Sequence, residues 1–172
     1  MGTRANVLVG AASVSIEGKV VGARGGLTAT PITGFYTVDG VVMTVRSDMA
    51  DIKVEENIGT VKRVLTDQEV TVALTFAEGE LENLVAAIPG SYISGNTVTL
   101  GGGDPAGEVL QEFELTLVGK NEGGGDRTIV LNEVNPTGEV GIPYKKGEAS
   151  VIPVTFSALV NDSKVFGTIV DS

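Results

Sequence analysis

Short runs rich in Val, Ile and Thr, with apolar and polar residues alternating inside them, recur along the chain with glycine between them. Period-2 alternation puts every second side chain on one face of a strand, and glycine supplies the turns, so this pattern is that of an all-β chain. The 24 glycines among 172 residues are about twice the usual share of roughly 7%. They are spread between the runs rather than gathered into one linker. The strongest alternation sets Val70, Val72, Leu74 and Phe76 against Thr71, Ala73 and Thr75, one face for a core and one for the outside. Residues 12–16 alternate Ala12, Val14 and Ile16 with Ser13 and Ser15, and Glu17-Gly18 reads as a turn into 19–23. Residues 27–31 read as an edge strand, because Pro31 cannot donate to a central ladder. Further strands are expected at 61–65, 109–118, 128–134, 139–144 and 149–158.

One segment departs from this period. Leu81, Leu84, Val85 and Ile88 fall at i, i+3, i+4 and i+7, with Glu78, Glu80 and Glu82 around the first turn and Pro89-Gly90 as the stop. That is an amphipathic helix with its acids at the positive pole of the helix dipole. The expected fold is mainly β: an antiparallel β-sandwich or roll with one flanking α-helix and a long early loop or arm, 1–172 forming one domain. No fixed-period repeat is visible, which argues against solenoids and propellers. The arm is 34–59, far longer than a hairpin loop yet too apolar for a linker: Val41, Val42, Met43, Val45, Met49, Ile52, Val54 and Ile58 sit among five acids. Either it adds strands to its own domain, or it docks on a neighbouring subunit, since large exposed apolar patches mark interaction sites.

The chemistry available is narrow. There is no Cys and no His, which removes thiol nucleophiles, disulfides, Cys/His zinc sites and imidazole-based triads. Gly101-Gly102-Gly103-Asp104 and Gly123-Gly124-Gly125-Asp126 invite a calcium or phosphate reading. They lack tandem nonapeptides and a Gly-Lys-Ser/Thr ending, so loop tips between strands are expected, with no metal or cofactor. The carboxylate pairs Glu55/Glu56 and Glu112/Glu114 have no Trp, no His and few aromatics to build a sugar cleft, so an enzyme is not expected. The 22 acidic and 12 basic residues give a net charge of -10, which argues against phosphate-neutralising recognition of nucleic acid. The start of the chain does not read as a signal peptide and no apolar run approaches the roughly 18 residues of a membrane span. A soluble protein made in the cytoplasm, with no membrane anchor, is the expectation.

Three sets of residues carry a resemblance. The first is Gly10-Ala11-Ala12-Ser13-Val14-Ser15-Ile16-Glu17-Gly18 with Val21-Gly22, then Gly25-Gly26-Leu27 leading to Pro31. The second is Val61-Lys62-Arg63-Val64-Leu65 with Glu69-Val70-Thr71-Val72 and Leu81-Glu82-Asn83-Leu84. The third is Gly147-Glu148-Ala149, Val151-Ile152-Pro153-Val154, Phe156-Ser157-Ala158 and Gly167-Thr168-Ile169-Val170-Asp171. Together they resemble the major tail tube proteins of tailed bacteriophages over most of the chain.

The resemblance implies a structural virion protein: rings of six that stack into a tube, joined by other tail proteins, through which DNA passes without specific binding. It also implies an early loop reaching neighbouring subunits, and 34–59 stands where that loop would be. On residues 109–118, Glu112, Glu114 and Thr116 share one face and Phe113, Leu115 and Leu117 the other. The polar face, Glu112, Glu114 and Thr116, is the candidate for the channel lining. The alternative is an all-β adhesin or capsid-decorating module, which would have no need of an apolar arm.

Overall fold

The computed structural model describes residues 13–19, 32–33, 37–56, 58–77, 79–101, 110–144, 146–147 and 151–172. The expected strand 27–31, most of 19–23, Glu78 and most of 101–104 lie outside them. The fold is mainly β and antiparallel with a single helix among the described residues, a sandwich-like arrangement as the alternation predicts. The strands are β1 (Ser13–Lys19), β2 (Ile32–Thr33), β3 (Thr37–Lys53), β4 (Thr60–Phe76), β5 (Tyr92–Ser94), β6 (Thr97–Thr99), β7 (Glu112–Lys120), β8 (Asp126–Thr137), β9 (Ile152–Ala158) and β10 (Gly167–Asp171), with α1 (Leu81–Ala87) between β4 and β5.

Eight strands form one sheet in the order β2-β1-β7-β8-β9-β4-β3, with β10 also on β8. The bend of this sheet is written into β8. Its first half pairs with β10, Leu131 to Gly167, and its second half pairs with β9, Val134 to Ala158. Both Leu131 and Val134 are buried, although they differ by an odd number of residues. An irregularity in the β7–β8 ladder between Phe113 and Leu115 absorbs the mismatch. At the fork, Asn132 N–H donates to the Phe166 carbonyl at 3.0 Å and Leu159 N–H to the Glu133 carbonyl at 2.7 Å, so the departing backbones stay paired. A strand that changes partners in this way is how a sheet turns a corner into a second layer.

The inward side chains of β1, β4, β7, β8 and β9 meet in one cluster. Val14 and Ile16, Phe113, Leu115 and Leu117, Leu131 and Val134, Ile152, Val154 and Phe156, and Val70, Val72, Leu74 and Phe76 are all buried in it. The Phe113 and Phe156 rings meet edge to face at 6.4 Å between centroids, from strands separated by β8. The expected core face of 70–76 is therefore correct, as is that of Phe113, Leu115 and Leu117. α1 lies over β9 and the β5–β6 hairpin. It buries Asn83, Val85, Ala86 and Ala87, whereas Leu81, Leu84 and Ile88 are half-buried. The buried face is thus turned from the expected one toward Ala86 and Ala87, both fully buried. The Ser91 hydroxyl donates to the Ile88 carbonyl at 2.7 Å as the chain leaves the helix.

Other expectations need correction. Glu17-Gly18 is no turn: β1 continues through it, Glu17 opposite Glu114 and Gly18 opposite Phe113, because β7 offers an unbroken ladder. Residues 139–144 form no strand; Gly138 sits at φ 88° and Pro143 has no N–H to give. Residues 61–65 and 70–76 are one strand, β4. The β5–β6 hairpin, turned by Gly95 at φ 57°, was not anticipated from the pattern.

Gly167 opens β10 where the backbone of β8 passes so close that a Cβ would overlap the Val130 carbonyl. Gly167→Ala is expected to lift the start of β10 from β8 and cost about 1–3 kcal/mol, as forced overpacking does. A shift of the urea midpoint checks this, and an unchanged midpoint would contradict the close packing.

Candidate assembly surfaces

The arm is a β-hairpin. β3 and β4 pair from Thr37/Phe76 to Lys53/Thr60, but β9 covers β4 only from Thr71 to Phe76. Beyond Thr71 the two strands have only each other among the described residues. They project some ten residues, roughly 30 Å at the usual rise per residue. Among the described residues neither edge of this projection meets a further strand, and a lone two-stranded hairpin is marginal in water.

Its two faces differ. The face continuous with the core carries the directly opposed pairs Val41/Leu74, Met43/Val72 and Val45/Val70, then Ser47/Gln68, then Met49/Leu65 and Asp51/Arg63. Leu65 and Val70 are an odd number apart and would lie on opposite faces of a regular strand. The register shift at Asp48/Met49 leaves Thr66 as the extra residue, and its hydroxyl donates to the Asp48 carbonyl at 3.0 Å. The bulge therefore keeps the apolar stripe on one side. That stripe runs off the domain: Val70 is 6% exposed, whereas Val45, Met49 and Leu65 are 51%, 60% and 56% exposed. The other face carries Val42/Ala73, Thr44/Thr71, Arg46/Glu69, Asp48/Asp67, Ala50/Val64 and Ile52/Lys62.

The expected arm residues thus divide. Val41 and Met43 are half-buried against their own core, so for these two a neighbour is not the cover. Val42, Val45, Met49, Ile52 and Val54 are exposed. The boundary at residue 59 missed the return strand, where Val61 and Leu65 are exposed, while Ile58, within the expected arm, stands fully exposed at the tip. The signal was present in two alternating runs of equal length, β3 and β4, separated by a short turn holding Gly59.

Near the tip, Arg63 donates to both oxygens of Asp51, at 2.6 and 3.2 Å, and the Thr60 hydroxyl donates to the same carboxylate at 3.1 Å. The Arg63 guanidinium, then the Thr60 hydroxyl, hold the Asp51 carboxyl below its ordinary value. A second two-pronged pair ties down β10: Arg127 donates to both Asp171 oxygens at 2.7 Å. The guanidinium hydrogen bonds keep Asp171 below its ordinary 3.8. A carboxyl lowered by folding stabilises fully above its unfolded value and loses that contribution as pH falls through its lower folded value. Amide protection along β10 is accordingly expected to hold at pH 5 and to fall below about pH 3.8. Asp171→Asn should show the reduced protection already at pH 5, with no further loss attributable to this pair; protection unchanged by the substitution would contradict the role of the pair.

Glu112, Glu114 and Thr116 lie on the outer face of β7, half-buried, opposite Lys19, Glu17 and Ser15 of β1. The glycine run after β7 is a hairpin turn rather than an ion cradle. The Asn121 side-chain oxygen accepts from the N–H of Gly123 at 3.0 Å and of Gly125 at 2.8 Å, which consumes the donors an anion would need. A further surface feature lies on the outer face at the hairpin base. There Gly40, Val42, Ala73, Thr75, Glu139 and Pro153 line a groove of about 280 Å³. Among the described residues no helix is long and apolar enough to cross a membrane. Comparison with known proteins gives no matching family model and no matching curated sequence.

Proposed function

We propose that this protein is a structural subunit that associates with copies of itself, forming rings of six that stack into a phage-tail-like tube for DNA. The observation that carries this reading is the hairpin, a projection whose core-side stripe of Val45, Met49 and Leu65 stays exposed on its own domain. Burial of one such side chain contributes about 1.5–3 kcal/mol, so several of them per subunit can drive association when a neighbour covers them. The open hairpin edges add backbone groups that a neighbour can pair. The net charge of -10 agrees with a conduit, because an acidic wall releases no counterions to DNA and does not trap it. The chain acts in the virion tail on this reading, beside other tail proteins and without catalysis. Light scattering over a wide concentration range tests it: the mass should climb well above the 17.7 kDa of one chain, and a mass fixed at that value throughout would contradict it.

A further inference from the structure

Two features of the hairpin ask for a partner of matching shape. Ile58 stands at the tip with its side chain wholly in water, 111% exposed. At the base, on the outer face, is the groove of about 280 Å³ with Val42, Ala73 and Pro153 in its apolar lining and Glu139 on its wall. The groove exists because Gly40 and Ala73 leave no bulk between larger neighbours, and Gly40, at φ 79°, belongs to the irregular stretch between Thr37 and Val41. At about 280 Å³ the groove has room for a single protruding apolar side chain.

Resting on the proposed self-association, we infer that Ile58 of one copy seats in the groove at the hairpin base of the next. The chain cannot make this contact with itself. Knob and groove lie at opposite ends of one hairpin, with the eleven residues of β3 from Met43 to Lys53 between Val42 and Val54, roughly 40 Å. Charge agrees with the assignment. Arg46 and Arg63 are committed to Asp48 and Asp51, whereas Lys53 and Lys62 near the tip make no ion pair among the described residues. Glu139 on the groove wall makes none either. It repels Glu55 and Glu56 of the turn and attracts Lys62, which fixes the way the tip enters. In stacked copies of one orientation the contact is heterologous, the knob of each copy in the hole of the next, and so propagates along the stack.

The absence of native cysteine makes the test direct. The double variant Ile58→Cys/Ala73→Cys, oxidised at assembly concentration, is expected to give a ladder of covalent oligomers. A mixture of the two single variants should stop at linked pairs containing one of each. A double-variant product that stops at the dimer would reveal reciprocal pairing and overturn the head-to-tail contact. No linked product, while the unsubstituted protein forms tubes, overturns the knob-and-groove contact and leaves the tube reading standing. No linked product and no tubes overturn both, and a ladder from protein that never forms tubes upholds the contact while the tube reading falls.

Discussion

Replacing residues 47–68 with a two-residue Asn-Gly turn is expected to abolish self-association while leaving the domain folded. Arg46 and Glu69 are directly opposed, so a tight turn can join them there, and Asn-Gly suits the twist of a hairpin. Everything removed lies beyond the part of β4 that β9 covers. The core residues Val70, Val72, Leu74 and Phe76 and the half-buried Val41 and Met43 all stay. The shortened protein should therefore unfold within about 1 kcal/mol of the original, the range of changes away from the core. Its mass in solution should equal a single chain at concentrations where the full protein associates. Deleting 41–52 instead would take Val41 and Met43 from the core margin and strip the outer partner from β4, so that cut would destabilise the domain. If the 47–68 variant still associates as the full protein does, the hairpin is not the assembly element.

Changing both Glu112 and Glu114 to Lys is expected to leave rings and tubes intact and to make the tube hold DNA. In the ring the outer face of β7 is the proposed channel wall, and six copies would bring about twelve carboxylates to it, felt by DNA only within the roughly 8 Å Debye length. The fold tolerates the change, because Phe113, Leu115 and Leu117 on the other face remain in the core. Across the β1–β7 ladder Glu114 stands opposite Glu17 and Glu112 opposite Lys19 in register. Reversed, the wall would contact phosphates; with about six to ten contacts, retention should fall on the order of 10³–10⁵-fold between 50 and 200 mM salt. Co-sedimentation of a short duplex with the tubes reads this out. Retention equal to that of the unsubstituted tube at low salt would remove the face of Glu112, Glu114 and Thr116 from the channel.

The alternation of Val70 to Phe76 and of Phe113 to Leu117 was readable because period 2 alone decides which face a buried strand turns inward. The same rule fails at Leu65 and Val70, whose odd spacing would put them on opposite faces of a regular strand. Only the partner strand reveals that Thr66 bulges out and keeps both on one side. Likewise Glu17-Gly18 has the chemistry of a turn, and long-range pairing with β7 overrides it. Ala86 and Ala87 are weak hydrophobic signals in a sequence, yet both are buried on the inner face of α1. For the assembly surface, Val42, Val45, Met49, Ile52 and Val54 were legible as apolar residues in a segment too long for a loop. Ile58 as a tip and Ala73 as part of a groove were not, because each has meaning only against a surface made by distant parts of the chain.

Negative-stain electron microscopy of the purified protein, at high concentration and over a range of salt, addresses the central claim most directly. Rings with six subunits are expected and, where they stack, hollow tubes of uniform width. Only single small particles under every condition, with no ring and no tube, would contradict it.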